Sequence, residues 1–361
     1  MLFRSKEIAK SLNDRGLQDL EEQVRFLVAG EECNPWTRDL YLTLNGGRQN
    51  MFAVQAFDHG SEVCGKKIAD LLAQSDLGWN IQVSNATDVI QPGKTLPLFG
   101  GDLASDDLYV YLGEKSVTRM LEKGGFSTRE EVLSWLTTYF KKDVLVLPGE
   151  DEHQDRYHTP LGVIQGKRTN LLADPVAVFE IFAAMRPDER TRAVETMMGA
   201  YFSENEIVRR SLTALFSGNK SMVQRLQKSS YVHSLEQTER MLVEKGIRVV
   251  RIPTLHRTIF KEGSFPAGFY YVNLVQDLYR DSDGSVVHKL IVPSYGIPAM
   301  ERRVFEILLS LGDIDEIQTL PLIREGFLFA GIRCLVQVFG KETLTSLTTV
   351  TPSTDSSVIQ S

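Results

Sequence analysis

Cysteine is scarce in this 361-residue chain: three residues, at 33, 64 and 334. No two stand at metal-ligand spacing and three cannot all pair. A zinc module and a disulfide framework are both excluded, and no metal or cofactor is expected. Long apolar runs are missing as well. No window reaches the roughly 18 apolar residues of a membrane span. The opening stretch, MLFRSKEIAKSLNDRG, lacks the apolar core of a signal peptide. Nor is there an excess of positive charge: 40 Lys and Arg against 47 Asp and Glu leave a net charge of −7, with the two signs mixed along the chain. That argues against nucleic-acid binding and favours cationic ligands. These absences lead to the expectation of a globular protein of the reduced cytoplasm, without membrane or nucleic-acid partners. Association into an oligomer is compatible with the sequence.

What is present is an alternation of helices and strands. STREEVLSWLTTYF, Ser127 to Phe140, has Ser127 and Glu130 at capping-box spacing, and Val132, Trp135, Leu136, Tyr139 and Phe140 then share one face. SLEQTERMLVEK repeats the device with Ser234 and Gln237 and stops at Gly246. Ala299 to Leu311 puts Met300, Val304, Ile307, Leu308 and Leu311 on one stripe. Each helix runs into a short apolar segment that reads as a strand: DVLVLPG, IRVVRIP and the buried-looking EIQTLPL. LFGGDLASDDLYVYLG reads as a strand pair around a loop, and GFYYVNLVQD with VVHKLIVPSYG as another. The pattern is a repeated helix–strand–loop–strand unit without sequence identity between repeats. Residues 176–233 break it with continuous helical patterning, read as a helical insertion. Residues 343–361 are rich in Ser and Thr and poor in large apolar groups, and a disordered tail is expected there.

Four short constellations could carry chemistry, and each has an ordinary structural reading beside it. NPWTRDLYLTL opens a strand with Trp36, Arg38 and Asp39, and charges at strand ends are common. LFGGDL sets Gly100 and Gly101 before Asp102, a turn that needs a positive φ or a close backbone approach, as many turns do. GEDEHQDRYHTPLGV holds His153 and Asp155, which strand alternation would place on one face, with His158 on the other. The pair could be an acid/base with a cation binder, or part of a solvated acidic loop. GIRCLVQVFG places Cys334 three residues after Gly331. It is a small core residue, or a thiol activated by a positive neighbour such as Arg333.

Their order along the chain resembles the guanidino-group modifying enzymes. That superfamily comprises agmatine, arginine and peptidylarginine deiminases, dimethylarginine dimethylaminohydrolases and amidinotransferases. Trp-x-Arg-Asp, Gly-Gly-Asp, His-x-Asp and a C-terminal Gly-x-x-Cys appear in series over residues 34–340. A Tyr-x-Asn strand and a Pro-x-aromatic-Gly turn, Tyr271-Val272-Asn273 and Pro293-Ser294-Tyr295-Gly296, precede the last helix. The sequence departs from the pattern at Leu40 after WTRD, at Gln154 inside His-x-Asp, and at Ala330 before Gly331.

The resemblance implies an α/β fold, a pseudo-fivefold β/α propeller of ββαβ units spanning residues 1–342, carrying the helical insertion. It implies hydrolysis of a guanidine C–N bond in a small guanidino compound or an arginine side chain. By it, Cys334 is the nucleophile and His153 the general acid/base, with His158 as the alternative. Asp39 and Asp155 grip the guanidinium, and Trp36, Arg38 and Asp102 complete the substrate site. Amidinotransfer to an amine, and binding of arginine-like groups without turnover, are the other functions such a site could serve.

Overall fold

The computed structural model describes residues 41–45, 50–54, 81–85, 93–98, 100–149, 154–199, 205–256, 268–281 and 283–321. The expected tail, 343–361, lies outside them. Within them the strands form four three-stranded sheets of one plan: an antiparallel pair whose second strand is joined by a parallel third.

In the first sheet β1 (Tyr41–Asn45) pairs with β2 (Asn50–Val54), Tyr41 opposite Val54, and β3 (Ile81–Asn85) runs parallel to β2. In the second, β4 (Leu103–Ser105) pairs with β5 (Tyr109–Gly113). Helices α1 (Glu114–Lys123) and α2 (Arg129–Phe140) then lead to β6 (Asp143–Leu147), parallel to β5. The third joins β7 (His158–Ile164) and β8 (Lys167–Asp174), Leu172 facing His158. Five helices follow β8: α3 (Pro175–Ala184), α4 (Pro187–Met197), α5 (Glu206–Phe216), α6 (Lys220–Gln227) and α7 (Ser230–Glu244). They end in β9 (Arg248–Pro253), parallel to β8. The fourth joins β10 (Val275–Arg280) and β11 (Val286–Ser294), then α8 (Pro298–Leu309) and β12 (Glu316–Pro321), parallel to β11. A parallel third strand must start again from the same end of the sheet, so a crossover is obligatory. Helices supply it in the last three sheets.

Apolar alternation fixes which face the second sheet buries. On β5, Val110 and Leu112 pack with Val117, Met120, Val132 and Leu136 of the crossover helices. Tyr111 points the other way, into a cluster with Leu145, Leu147, Leu242 and Ile247 that ties the second sheet to α7 and the start of β9. The largest cluster joins α3 to α6 with α8 and the third and fourth sheets through residues such as Phe179, Phe182, Phe216, Phe269 and Tyr295. The helical stretch after β8 is therefore part of the main core. Among the described residues no helix is long and apolar enough to cross a membrane.

Several local expectations are corrected. The N-cap of α2 is Thr128, not Ser127: its Oγ1 accepts from Glu131 N at 3.1 Å, and the Glu131 carboxylate accepts from Ser127 N at 2.8 Å. The device is offset by one residue and only half of a capping box, because Glu131 reaches the N–H of Ser127 and not that of the cap Thr128. Helix α7 begins at Ser230, capped by Ser229, whose Oγ accepts from Val232 N at 3.2 Å. Ser234 lies inside the helix, its hydroxyl donating to Ser230 O. Of the expected strand EIQTLPL, Glu316–Pro321 form β12, but they are largely exposed, with Ile317 the half-buried residue against the core. Tyr271 to Asn273 form a buried turn ahead of β10 rather than a strand, with Asn273 N donating to Tyr270 O.

The Pro-Ser-Tyr-Gly turn is held from the following helix. One carboxylate oxygen of Glu301 accepts from Ser294 Oγ and from the backbone N–H groups of Tyr295 and Gly296 at 2.8–3.0 Å. Gly296 has a φ of 71°, a conformation that favours glycine, and a Cβ there would also press on the Thr196 side chain at 3.0 Å. Pro298 then opens α8 at a position where its missing N–H costs nothing.

Candidate active site

The second and third sheets meet through two short turns. Gly100–Asp102 form one 3-10 turn leading into β4, and Gln154–Arg156 form another ahead of β7. The turns pack on each other, and β4 packs on β7. The first turn is right-handed, so a positive φ is not what its glycines supply.

Asp102 is fully buried, and its Oδ2 lies 2.7 Å from Arg119 Nη1 on α1. Removing a carboxylate from water is costly unless a cation replaces the lost hydration, and Arg119 provides it. The same guanidinium reaches toward the Pro97 carbonyl. The pair ties the turn at 100–102 to the first crossover helix.

The turn at 154–156 removes the basis for reading residues 153 to 158 by strand alternation, because a 3-10 turn has three residues per turn and not two. Asp155 sits in the middle of the turn. Arg156 points its Nη1 to within 3.4 Å of His256 Nε2, beyond the end of β9. Gln154 is fully buried, and neither polar atom of its carboxamide has a hydrogen-bond partner among the described residues.

His158 begins β7 and is fully buried. Its Nε2 lies 3.0 Å from Asn170 Nδ2 on the neighbouring strand. An amide nitrogen only donates, so in this arrangement Nε2 is the acceptor. The Tyr111 ring lies 4.8 Å away. Tyr111 Oη donates to Asp106 Oδ2 at 2.9 Å, and Arg168 bridges Asp106 and Asp107 at 2.8 and 2.5 Å. Burial, with the Asp106 charge adding to it, pushes the Tyr111 hydroxyl well above its ordinary pKa, so it stays a donor. Thr159 closes this side of the site by donating to Val272 O at 2.6 Å. Behind it, Tyr295 Oη accepts from Tyr270 N, and Thr254 Oγ1 accepts from Val272 N.

Of the sequence candidates, Asp102 and His158 are therefore placed in full, and Asp155 by its backbone. Trp36, Arg38, Asp39, His153 and Cys334 lie outside the described residues. Arg119, Asn170 and the burial of Gln154 were not singled out from sequence, since each owes its position to a partner or a packing surface from another element. Among the described residues no cluster of His, Cys, Asp and Glu could hold a metal ion.

No protein-family profile and no curated protein matches this chain. Solved structures do. A candidate agmatine deiminase is 13% identical with a TM-score of 0.47, over 92% of this chain and 79% of that one. A dimethylarginine dimethylaminohydrolase of Pseudomonas aeruginosa, solved with citrulline, is 13% identical with a TM-score of 0.33, over 80% and 69%. The N-terminal domain of a cyanobacterial arginine dihydrolase is 16% identical with a TM-score of 0.26, over 68% and 80%. All three of these solved structures are guanidino-group modifying enzymes.

Proposed function

We propose that the chain hydrolyses a guanidine C–N bond through a covalent amidino-cysteine. One observation carries the reading: the motif residues recur at the same place in the repeat. Trp36, Arg38 and Asp39 stand just ahead of β1, Gly100 to Asp102 just ahead of β4, His153 to Asp155 just ahead of β7, and Tyr271 to Asn273 just ahead of β10. Each is the lead-in to the first strand of a three-stranded unit. Gly331 to Cys334 follow β12 and lead into the apolar LVQVFG, which would open a fifth unit on the same plan. Four accidental motifs would have no reason to share a position in a structural repeat.

In this reading the fold closes as a fivefold propeller, and the five lead-in segments converge on one site. Asp39 and Asp155 hold the planar guanidinium through paired, charge-assisted hydrogen bonds. The Cys334 thiolate adds to the central carbon. The tetrahedral adduct expels a nitrogen as ammonia or an amine, protonated by His153, and leaves an amidino group on sulfur. His153, now neutral, takes a proton from water as the water adds to the same carbon. Collapse releases a ureido product and restores the thiolate. Asp102, engaged by Arg119, shapes the turn beside the clamp.

The test is a panel of guanidino compounds (agmatine, arginine, dimethylarginine and an arginine-containing peptide) assayed for ammonia or amine and for ureido product. The reading expects stoichiometric formation of both from at least one compound, lost in Cys334→Ser. Binding without product would convert the assignment to a non-catalytic receptor. Product formed only when an amine acceptor is added would convert it to an amidinotransferase.

A further inference from the structure

Gln154 stands apart from the buried polar groups around it. Asp102 is paired with Arg119, His158 with Asn170, and Thr159 with the Val272 carbonyl. The Gln154 carboxamide is equally buried, yet both its Nε2 and its Oε1 lack partners among the described residues. Taking an amide out of water with nothing in exchange destabilises a fold. Leucine or methionine has the volume for a buried turn position without that penalty. A residue that costs stability, in the turn between the proposed acid/base His153 and the proposed clamp Asp155, is placed as a ligand contact would be.

The chemistry of the amide narrows the ligand. A carboxamide carries two N–H donors and a carbonyl acceptor side by side. A guanidinium has only donors, so it can satisfy Oε1 but leaves Nε2 unpaired. A ureido group presents a carbonyl and an N–H on adjacent atoms. It pairs with a carboxamide through two parallel hydrogen bonds, Nε2–H to the ureido oxygen and ureido N–H to Oε1. We propose that Gln154 is a binding residue for a neutral ureido group, the product class of the hydrolysis assigned above. The location rests on that assignment, but the interaction itself needs no turnover. Its consequence is a site that holds ureido compounds as inhibitors.

The experiment uses the full chain, with propylurea and propylguanidinium as probes, titrated by calorimetry and by thermal unfolding. Wild-type protein should bind propylurea and be stabilised by it. Gln154→Met should unfold at a higher temperature than wild type without ligand, because the unpartnered amide is gone. It should bind propylurea about tenfold more weakly, as the loss of two neutral hydrogen bonds implies, with a smaller loss for propylguanidinium. Gln154→Leu should behave alike. The inference is overturned if wild type does not bind propylurea or the variants bind it equally well. It is also overturned if both variants unfold at a lower temperature than wild type without ligand, which would show the amide to be internally bonded. Because propylurea is the product class and not a substrate of that hydrolysis, its binding is read without turnover: a chain that forms no ureido product from any guanidino compound but still binds propylurea through Gln154 would sink the hydrolase reading and leave this one standing.

Discussion

Arg119 Nη1 lies 2.7 Å from Asp102 Oδ2, and the two groups meet where almost no solvent reaches. A buried pair of this kind adds little over well-packed apolar residues, but losing one partner strands the other's charge. Arg119→Met should therefore cost about 3 kcal/mol of stability in urea unfolding. Asp102→Asn combined with Arg119→Met should recover a good part of that. If Arg119→Met keeps full stability while substrate binding falls, Asp102 faces the substrate instead.

The two candidate histidines separate by environment. His158 is a fully buried ring held by Asn170 and tilted against Tyr111. His158→Gln should lower the unfolding midpoint but leave kcat of the folded enzyme within a few-fold of wild type. His153→Ala should fold normally and lose turnover by a factor on the order of a hundred or more, the usual worth of a general acid/base. Loss of turnover in His158→Gln with a stable fold would move the role to His158.

His288 on β11 supplies a pH dependence with a definite sign. It is buried, and desolvation holds its pKa below the ordinary value of 6.5, outweighing the opposing pull of Asp313 and Asp315. Asp315 Oδ2 accepts from the His288 backbone N–H at 2.8 Å, and Nε2 has no partner among the described residues. Below about pH 6.5 the unfolded chain takes up a proton that the native ring refuses, so stability falls as the pH drops from there toward the native pKa. Urea unfolding at pH 7.5 and pH 5.5 should show a smaller loss in His288→Gln than in wild type. An equal loss in both would mean that His288 titrates alike in the two states.

Much of the repeat was legible because its signals are local. DVLVLPG and IRVVRIP are apolar runs between turn residues, and both are strands, β6 and β9. Pro298 and the Met300, Val304, Leu308 stripe mark α8 with little ambiguity. Boundaries went astray where several residues could do one job. Ser229, Ser230 and Ser234 are all acceptable caps, and the choice of Ser229 is made by the chain reversal after α6, where its hydroxyl also donates to Leu226 O. The exposure of β12 was hidden because its apolar composition says what could be buried, not what lies beside it. At the site, the order of the motifs was readable, but partnership was not. Arg119 is seventeen residues from Asp102 and Asn170 twelve from His158, distances that only the fold collapses. The burial of Gln154 runs against its ordinary preference for solvent and has no signal in sequence.

The central claim is that the chain uses Cys334 as a nucleophile beside a cation-binding clamp. Its most direct test is competitive alkylation by a cationic haloacetamidine, followed by peptide mapping of Cys33, Cys64 and Cys334. The clamp should deliver the reagent and thiolate character should set the rate. Position 334 should therefore be labelled at least tenfold faster than the other two, with protection by a guanidino substrate and loss of selectivity in Asp39→Asn. Label spread evenly over the three cysteines, or absent from position 334, would contradict the account.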